Sequence, residues 1–317
     1  MTSTVLVTGS SGYIGGQTAL KLKDAGYTVV GLDRRPPAEH LKSAVDHWCI
    51  ADFASVVALE FIELHKPTAI IHCAGTSLVG PSIQNPSDYY HNNVVKTLHL
   101  LDFILHAMPT TKFIFSSSAA TYGNPIMVPC QEMDPCDPIS PYGESKLMIE
   151  WFLRAYHTAY GLNYVAFRYF NACGADSQGR HGQEPGATHL IARVLESIRD
   201  HTDFTLYGTD HPTEDGTCVR DYVHVEDIAR AHVMSISENI PMGIYNLGSN
   251  QGYSNRDVMA AAQVITNKEL SVFESSARPG DPPILTASDD KFKEHVGEWR
   301  HFNLDEMIAH AWAWYNK

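Results

Sequence analysis

The stretch Thr-Val-Leu-Val-Thr-Gly-Ser-Ser-Gly-Tyr-Ile-Gly, residues 4–15, decides how this chain folds. Its first four residues are β-branched or aliphatic, which predicts a buried parallel strand, and a helical pattern follows to about Ala25. Gly9 lets the chain leave the strand, Gly12 lets the backbone approach a diphosphate, and Gly15 lets the helix pack closely on the strand. The stretch therefore predicts a phosphate-binding turn at a helix N-terminus.

A second strand, residues 27–32, ends at Asp33, whose carboxylate can accept the hydroxyl groups of an adenosine ribose. This order of elements, a strand, a glycine turn, a helix, a second strand and an acid, predicts a dinucleotide site. The alternative is that the glycines serve only the close packing of the helix on the strand. The acid favours NAD, because it would repel the additional phosphate of NADP. Arg34 and Arg35 follow directly and are able to hold that phosphate, so the sequence leaves the choice between NAD and NADP open.

Four further buried strands alternate with helices, which is typical of a doubly wound parallel sheet. They are placed at residues 47–52, 68–72, 112–115 and 163–168. After about residue 170 this alternation gives way to mixed elements. We therefore expect an α/β fold: a Rossmann-type doubly wound parallel sheet over residues 1–170 and a smaller mixed α/β C-terminal substrate lobe over 171–317. Part of residues 220–250 is expected to return to the first domain.

The carboxyl ends of these strands carry candidate site residues, because this edge of a doubly wound sheet faces the ligand crevice. The third strand ends in Asp52, which either faces the adenine or caps the next helix. The fourth strand opens into Cys73, Ala74 and Gly75, whose small side chains leave room for a cofactor. The fifth strand is followed by three serines, residues 116–118.

The segment Pro-Tyr-Gly-Glu-Ser-Lys, residues 141–146, begins a long predicted helix. Tyr142 and Lys146 are four residues apart, so they share one helix face. A tyrosine with an ordinary pKa of about 10 is a poor base, but a lysine one turn away and a positive nicotinamide both favour its phenolate. Lowering the tyrosine pKa by about 3 units corresponds to roughly 4 kcal/mol. A tyrosine beside a solvated lysine is the alternative; behind a dinucleotide fold and a strand that ends in serines, the pair is predicted to point into the ligand crevice.

The composition argues against several classes of partner and site. A formal charge of −13, from 36 acidic and 23 basic residues, disfavours nucleic acids and anionic membranes. No apolar run is long enough to span a bilayer, and no signal-peptide pattern is present. The six cysteines form no Cys-x-x-Cys pair, so neither a zinc site nor a disulfide framework is predicted. We expect a cytoplasmic protein without a metal.

The chain resembles the extended short-chain dehydrogenase/reductase family and, within it, the UDP-glucose 4-epimerases. The matching segments are residues 8–15, 88–94, 115–119, 142–146, 168–171, 207–210, 212–217, 219–225, 245–248, 278–281 and 304–307. The resemblance implies NAD-dependent epimerisation at C4 of a UDP-hexose, UDP-galactose or UDP-glucose. The 4-keto sugar turns over within the site and receives the hydride on its opposite face, and NAD stays bound between turnovers.

The resemblance also implies roles for individual residues, with Tyr142, Lys146 and Ser118 as the catalytic set. The NAD-binding residues that it implies are Gly9, Gly12, Tyr13, Ile14, Gly15, Asp33, Asp52, Phe53, Cys73, Ala74, Gly75, Asn92, Ser116, Tyr142, Lys146 and Tyr169. The UDP-sugar residues that it implies are Ser118, Asn171, His189, Leu190, Phe204, Tyr207, Arg220, Arg278, Asp281 and Leu285. The two arginines are expected on the diphosphate, because planar guanidinium groups suit phosphate oxygens. A surface salt bridge is the alternative for each.

Two positions bear on how this chain differs from its family. Where the family usually has a lysine near the cofactor diphosphate, this chain has Ser77, so we expect NAD to be held less tightly than usual. Leu285 occupies a position whose size limits the C2 substituent of the sugar. A leucine there is intermediate, so we expect a preference for UDP-glucose and UDP-galactose with some activity on UDP-N-acetylhexosamines.

Other functions make different demands on these residues. A sugar-nucleotide 4,6-dehydratase needs an acid and a base near the serine strand, and residues 117–119 are Ser-Ser-Ala. An epimerase or decarboxylase for UDP-uronic acids needs an additional cationic partner, which we cannot assign. An NAD-binding regulator, the alternative that is not an enzyme, would need no base such as Tyr142. By resemblance we also expect a homodimer, formed through helices at residues 92–108 and 142–160.

Overall fold

The computed structural model describes residues 3–237, 240–277 and 281–317. Its strands are β1 (Thr4–Thr8), β2 (Thr28–Asp33), β3 (His47–Ile50), β4 (Ala69–His72), β5 (Lys112–Ser118), β6 (Tyr164–Tyr169), β7 (Asn171–Cys173), β8 (Phe204–Tyr207), β9 (Val219–His224), β10 (Gly243–Leu247), β11 (Gly252–Ser254), β12 (Val272–Ser275) and β13 (Ile284–Leu285).

Its helices are α1 (Tyr13–Asp24), α2 (Val56–His65), α3 (Val79–Gln84), α4 (Pro86–Tyr89), α5 (Lys96–Ala107), α6 (Pro141–Tyr160), α7 (Leu190–Asp200), α8 (Val225–Ser237), α9 (Asn255–Thr266), α10 (Asp290–Val296) and α11 (Leu304–Tyr315). Two 3-10 segments, Glu39–Ala44 and Ala119–Thr121, and one π-helical segment, Tyr90–Val95, complete the helical structure of the described chain.

Seven strands form one parallel sheet in the order β10-β6-β5-β4-β1-β2-β3. The strands from β1 to β3 run outward in one direction, and those from β4 to β6 run outward in the other. The order therefore reverses between β1 and β4, which is where a doubly wound sheet opens its ligand crevice. The predicted Rossmann-type α/β fold is confirmed.

The two faces of this sheet are covered by separate sets of helices. Val5 and Val7 of β1 pack toward α1 and α8, whereas Leu6 between them packs toward α2, α5 and α6. All three side chains are fully buried. A strand that is buried on both faces needs apolar residues at successive positions, which is why residues 5–7 show no polar alternation.

The rest of the described chain forms a smaller lobe of mixed structure. In it β9 pairs with β7, β11 and β13, β8 pairs with β12, and the helices α7, α9 and α11 share a third apolar core. The chain also returns to the large sheet, because α8 contacts α1 and β10 pairs with β6. The loops of this lobe thus face the carboxyl ends of the parallel strands.

Two elements near that edge differ from the sequence-based expectation. The fifth strand was expected to end at residue 115, but β5 continues to Ser118, so the three serines belong to the strand itself. The helix expected at residues 92–108 begins within the π-helical segment Tyr90–Val95 and continues as α5. Within the described residues, no helix combines the length and apolarity needed to cross a bilayer.

Candidate active site

The glycine turn after β1 is shaped by close backbone contacts. Gly9 has a φ of +70°, a conformation that favours glycine. A Cβ on Gly15 would lie 2.1 Å from the carbonyl oxygen of Gly9, so any side chain there would force α1 away from β1. Gly12 is the N-cap of α1 and provides no side-chain cap. The first N–H groups of α1 therefore remain for an anion, and the turn fits the diphosphate of a dinucleotide.

Asp33 lies at the end of β2 beside this turn. Its carboxylate accepts hydrogen bonds from the backbone N–H of Ser11 at 3.0 Å and from that of Arg35 at 2.9 Å. The guanidinium of Arg35 faces Glu184 in the second lobe, with 3.4 Å between Nη1 and the carboxylate. The two backbone bonds fix the orientation of the acid, while a carboxylate has further lone pairs for ribose hydroxyls.

A cleft of about 1210 Å³ runs along the carboxyl edge of the large sheet and beneath the second lobe. It brings together all but two of the sequence-predicted site residues, and those that line it are Gly9, Gly12, Tyr13, Ile14, Gly15, Asp33, Phe53, Cys73, Ala74, Gly75, Asn92, Ser116, Ser118, Tyr142, Lys146, Tyr169, Asn171, His189, Leu190, Phe204, Tyr207, Arg220, Asp281 and Leu285.

The two exceptions are Asp52 and Arg278. Asp52 does not line the cleft, because its carboxylate lies 2.5 Å from Nζ of Lys96 and accepts the N–H of Ala54 at 3.1 Å. It is not the helix cap either, since the N-cap of α2 is Ser55. Arg278 falls outside the described residues.

Tyr142, Lys146 and Ser118 meet where α6 crosses the end of β5. The side chain of Ser118 lies near enough to the Tyr142 phenol to act on its pKa, and Nζ of Lys146 donates to the backbone oxygen of Ser116 at 2.8 Å. Nζ of Lys146 also lies 5.9 Å from the centroid of the Tyr142 ring. The start of α6 is fixed by Ser140, whose side chain accepts the N–H of Gly143.

The electrostatics of this group differ from the expectation that lysine lowers the tyrosine pKa. Burial raises the pKa of Tyr142, and the hydrogen bond from Ser118 acts against that increase. Burial also lowers the pKa of Lys146 to about 8. Both effects arise because a low-dielectric surrounding disfavours the charged form. The protein alone therefore keeps the phenol neutral, and an additional positive charge is needed to favour phenolate.

The π-helical segment supports the loop on the other side of Tyr142. The side-chain oxygen of Asn93 accepts the N–H of Thr76 at 2.7 Å, and its amide donates to the oxygen of Thr76 at 2.9 Å. Asn92 donates to the hydroxyl of Thr76 at 2.8 Å. The hydroxyl of Tyr89 donates to the backbone oxygen of Ser77 at 2.7 Å. Only Asn92 was predicted from the sequence; the adjacent Asn93 was the available signal for this support.

The second lobe contributes the far end of the cleft. Arg220 on β9 pairs with Asp281 at 3.4 Å, and Leu285 on β13 lies opposite Arg220 in the strand register. The side-chain amide of Asn171 donates to the backbone oxygen of Asp221 at 2.8 Å. Arg193 also lines the cleft and was missed, although it lies one helical turn beyond the predicted His189.

Within residues 3–237, 240–277 and 281–317, no group of three or more His, Cys, Asp or Glu side chains is placed to hold a metal ion.

Comparison with known proteins agrees with this geometry. The model of the NAD dependent epimerase/dehydratase family matches residues 5–248. The UDP-glucose 4-epimerase of Halalkalibacterium halodurans is 38% identical over 320 residues, which cover 99% of this chain and 96% of the relative.

Solved structures give the same result. The UDP-glucose 4-epimerase from Brucella ovis in complex with NAD has a TM-score of 0.92 at 39% identity, covering 98% of each chain. The enzyme of that name from Bifidobacterium longum, in complex with NAD+ and UDP, has a TM-score of 0.92 at 32% identity and covers 99% of this chain and 98% of its own. The resemblance and the NAD dependence predicted from the sequence are confirmed: the chain belongs to the NAD-dependent epimerase/dehydratase family.

Proposed function

We propose that this protein interconverts UDP-galactose and UDP-glucose by NAD-dependent epimerisation at C4 of the hexose. The observation that carries the proposal is the meeting of Tyr142, Lys146 and Ser118 in a cleft that begins at the glycine turn and extends to Arg220. The relatives named UDP-glucose 4-epimerase match this chain along nearly its whole length.

In this proposal Tyr142 and Ser118 bind the C4 hydroxyl group and exchange its proton. The Tyr142 oxygen accepts the proton directly or through the Ser118 hydroxyl, depending on which face the sugar presents. When bound at the glycine turn, NAD would supply the hydride acceptor and donor for C4, and its oxidised ring would carry a positive charge. Lys146 holds its ammonium group beside the phenol, anchored to the backbone oxygen of Ser116. Because the phenol is neutral in the protein alone, that added charge is what favours its phenolate.

The UDP group belongs at the other end of the cleft. The side chain of Arg220 is 14% exposed and pairs with Asp281 at the long distance of 3.4 Å. The diphosphate of UDP can replace Asp281 as the partner of the Arg220 guanidinium, because its oxygens can accept shorter charge-assisted hydrogen bonds. Leu190, Phe204 and Tyr207 provide the apolar and aromatic surface proposed for the uracil. Arg278 stays a sequence-based prediction.

The test is to incubate the purified protein with UDP-galactose, without added cofactor, and to measure UDP-glucose formed. Tyr142→Phe should lower kcat by about 10²- to 10⁴-fold, the usual contribution of general acid–base catalysis, while the fold and the bound NAD are kept. Tyr160→Phe, at an exposed tyrosine on the same helix, is the matched control and should leave kcat unchanged. A Tyr142→Phe protein with unchanged turnover would contradict the proposal, and absence of turnover on any UDP-sugar would favour an NAD-binding regulator.

Leu285 is proposed to set the width of the sugar pocket. Leu285→Tyr should lower kcat/KM for UDP-N-acetylglucosamine by at least about tenfold, because a larger ring fills the space for the N-acetyl group. The same change should alter kcat/KM for UDP-galactose much less. Kinetics on both substrates provide the measurement, with Leu270→Tyr in the second lobe, away from the cleft, as control. An unchanged ratio between the two substrates would reject this role.

Ser77 is proposed to weaken the hold on NAD, since it lines the cleft where the family usually has a lysine. Ser77→Lys should increase the fraction of NAD that stays bound during prolonged dialysis, because an ammonium group can pair with the cofactor diphosphate. NAD released by acid from the retained protein gives the measurement. Ser87→Lys, at an exposed serine of α4 outside the cleft, is the control. Complete NAD retention by the unsubstituted protein would count against the idea.

We further infer a homodimer formed through α5 and α6. Apolar side chains are exposed there, with Val95 at the start of this surface 54% exposed and Trp151 on α6 49% exposed. Trp151→Glu should shift the protein toward monomer in sedimentation velocity, whereas Phe273→Glu, at an exposed apolar residue of β12, should not. A monomeric unsubstituted protein would reject the inference.

We also propose that the protein acts in the cytoplasm, because its six cysteines are free, as is usual in a reducing compartment.

A further inference from the structure

Glu150 continues the face of α6 that carries Tyr142 and Lys146, because the three residues follow one another at four-residue spacing. Its side chain is 1% exposed, and no part of the proposed chemistry uses it. The hydroxyl of Ser117 donates to its Oε1 at 2.5 Å. Arg168 holds both carboxylate oxygens, with Nε 3.0 Å from Oε1 and Nη2 2.6 Å from Oε2.

These contacts attach α6 to β5 at the serines that face the candidate site. The backbone oxygen of Ser116 accepts the Lys146 ammonium, the Ser117 hydroxyl donates to Glu150, and the Ser118 side chain lies beside the Tyr142 phenol. Successive strand residues point to opposite faces: the Ser117 hydroxyl meets Glu150 of α6, whereas the Ser116 hydroxyl bonds the hydroxyl of Tyr169 at 2.9 Å. A shift of α6 along β5 would therefore break the Glu150 contact together with the two contacts at the site.

Arg168 is itself fixed by its neighbours in the sheet. It lies opposite Ser117 of β5 on one side and opposite Asn246 of β10 on the other. Its guanidinium stacks over the ring of Tyr122, 4.6 Å from the centroid, and the Tyr122 hydroxyl donates to the side-chain oxygen of Asn246 at 2.8 Å. The Glu150–Arg168 ion pair thus belongs to a set of neighbouring side chains on β5, β6 and β10, directly behind the site.

Stability alone does not explain this pair. Replacing a buried ion pair by apolar residues of similar volume is often neutral or stabilising, because the desolvation of two charges offsets their attraction. The arrangement has a second effect. Glu150 is within reach of Lys146 in a helix, but Arg168 occupies both of its carboxylate oxygens, and the Lys146 ammonium bonds Ser116 instead.

We propose that Glu150 and Arg168 are a positioning pair for the epimerisation, an inference that rests on the proposed function. The pair fixes α6 against β5 so that Tyr142 and Lys146 meet Ser118 and Ser116. Arg168 also keeps the Glu150 carboxylate from pairing with Lys146. The pair acts through these residues and does not touch the substrate.

The test compares Arg168→Met, the double variant Glu150→Leu/Arg168→Met, and the unsubstituted protein. The double variant should fold, keep its NAD and keep KM for UDP-galactose within about twofold, while kcat falls at least about tenfold, as expected for a small misplacement of reacting groups. Arg168→Met alone should have a lower kcat than the double variant, because it frees the Glu150 carboxylate to pair with Lys146. Arg230→Met removes a different partly buried ion pair, with Asp227, and is the control: it should change melting temperature but not kcat.

A double variant that folds and retains the kcat of the unsubstituted protein would overturn the inference, as would Arg168→Met matching the double variant in kcat. If the double variant does not fold, Ser117→Ala decides, since it removes only the hydrogen bond to Glu150. A several-fold lower kcat at unchanged KM supports the inference, and an unchanged kcat rejects it. If the unsubstituted protein shows no turnover, the proposed function itself is rejected and this inference with it.

Discussion

The close approach of α1 to the end of β1 is the constraint on which the rest of the structure depends. A side chain at Gly15 would meet the oxygen of Gly9 at 2.1 Å, so only glycine lets this helix begin directly behind the strand. That approach points the free N–H groups of the helix at the carboxyl edge of the sheet. Because the sheet is parallel, every other strand presents its own carboxyl end at the same edge. Asp33 and the serines of β5 therefore face the same cleft.

Burial of the side chains in this cleft also determines the chemistry that they can perform. It raises the pKa of Tyr142 and lowers that of Lys146, so both groups are shifted toward their uncharged forms. A phenol in this state is a weak base. A positive charge beside it, of the kind that an oxidised nicotinamide carries, lowers its pKa. The phenolate would then be most populated while the bound cofactor is oxidised and the C4 hydroxyl must lose its proton, and least populated once the nicotinamide ring is neutral. This alternation suits a reaction in which the proton and the hydride both return to the substrate.

Local sequence signals predicted the parts of this structure that depend on neighbouring residues. The glycine turn and the whole of α6, Pro141–Tyr160, follow from spacing and periodicity. Contacts between distant segments were beyond such signals. Asp52 follows a strand as a ligand residue would, yet its carboxylate pairs with Lys96 from another helix and does not line the cleft. Glu150 resembles any charged residue of a helix until the fold places Arg168 against it. A sequence identifies which residue types stand at a strand end, but only packing decides which of them are already paired.

The second lobe shows the same dependence at the substrate end. β13 is only two residues long and was not anticipated, yet its pairing with β9 places Leu285 opposite Arg220. The carboxylate of Asp221, next to Arg220, accepts the N–H of Ala287 at 3.1 Å and so fixes the chain just beyond Leu285. The residue proposed for the diphosphate and the residue proposed to limit the sugar are thus neighbours on two paired strands. Because the register of β13 places Leu285 beside Arg220, the size of the side chain at position 285 is the feature whose effect on the sugar pocket we propose to test.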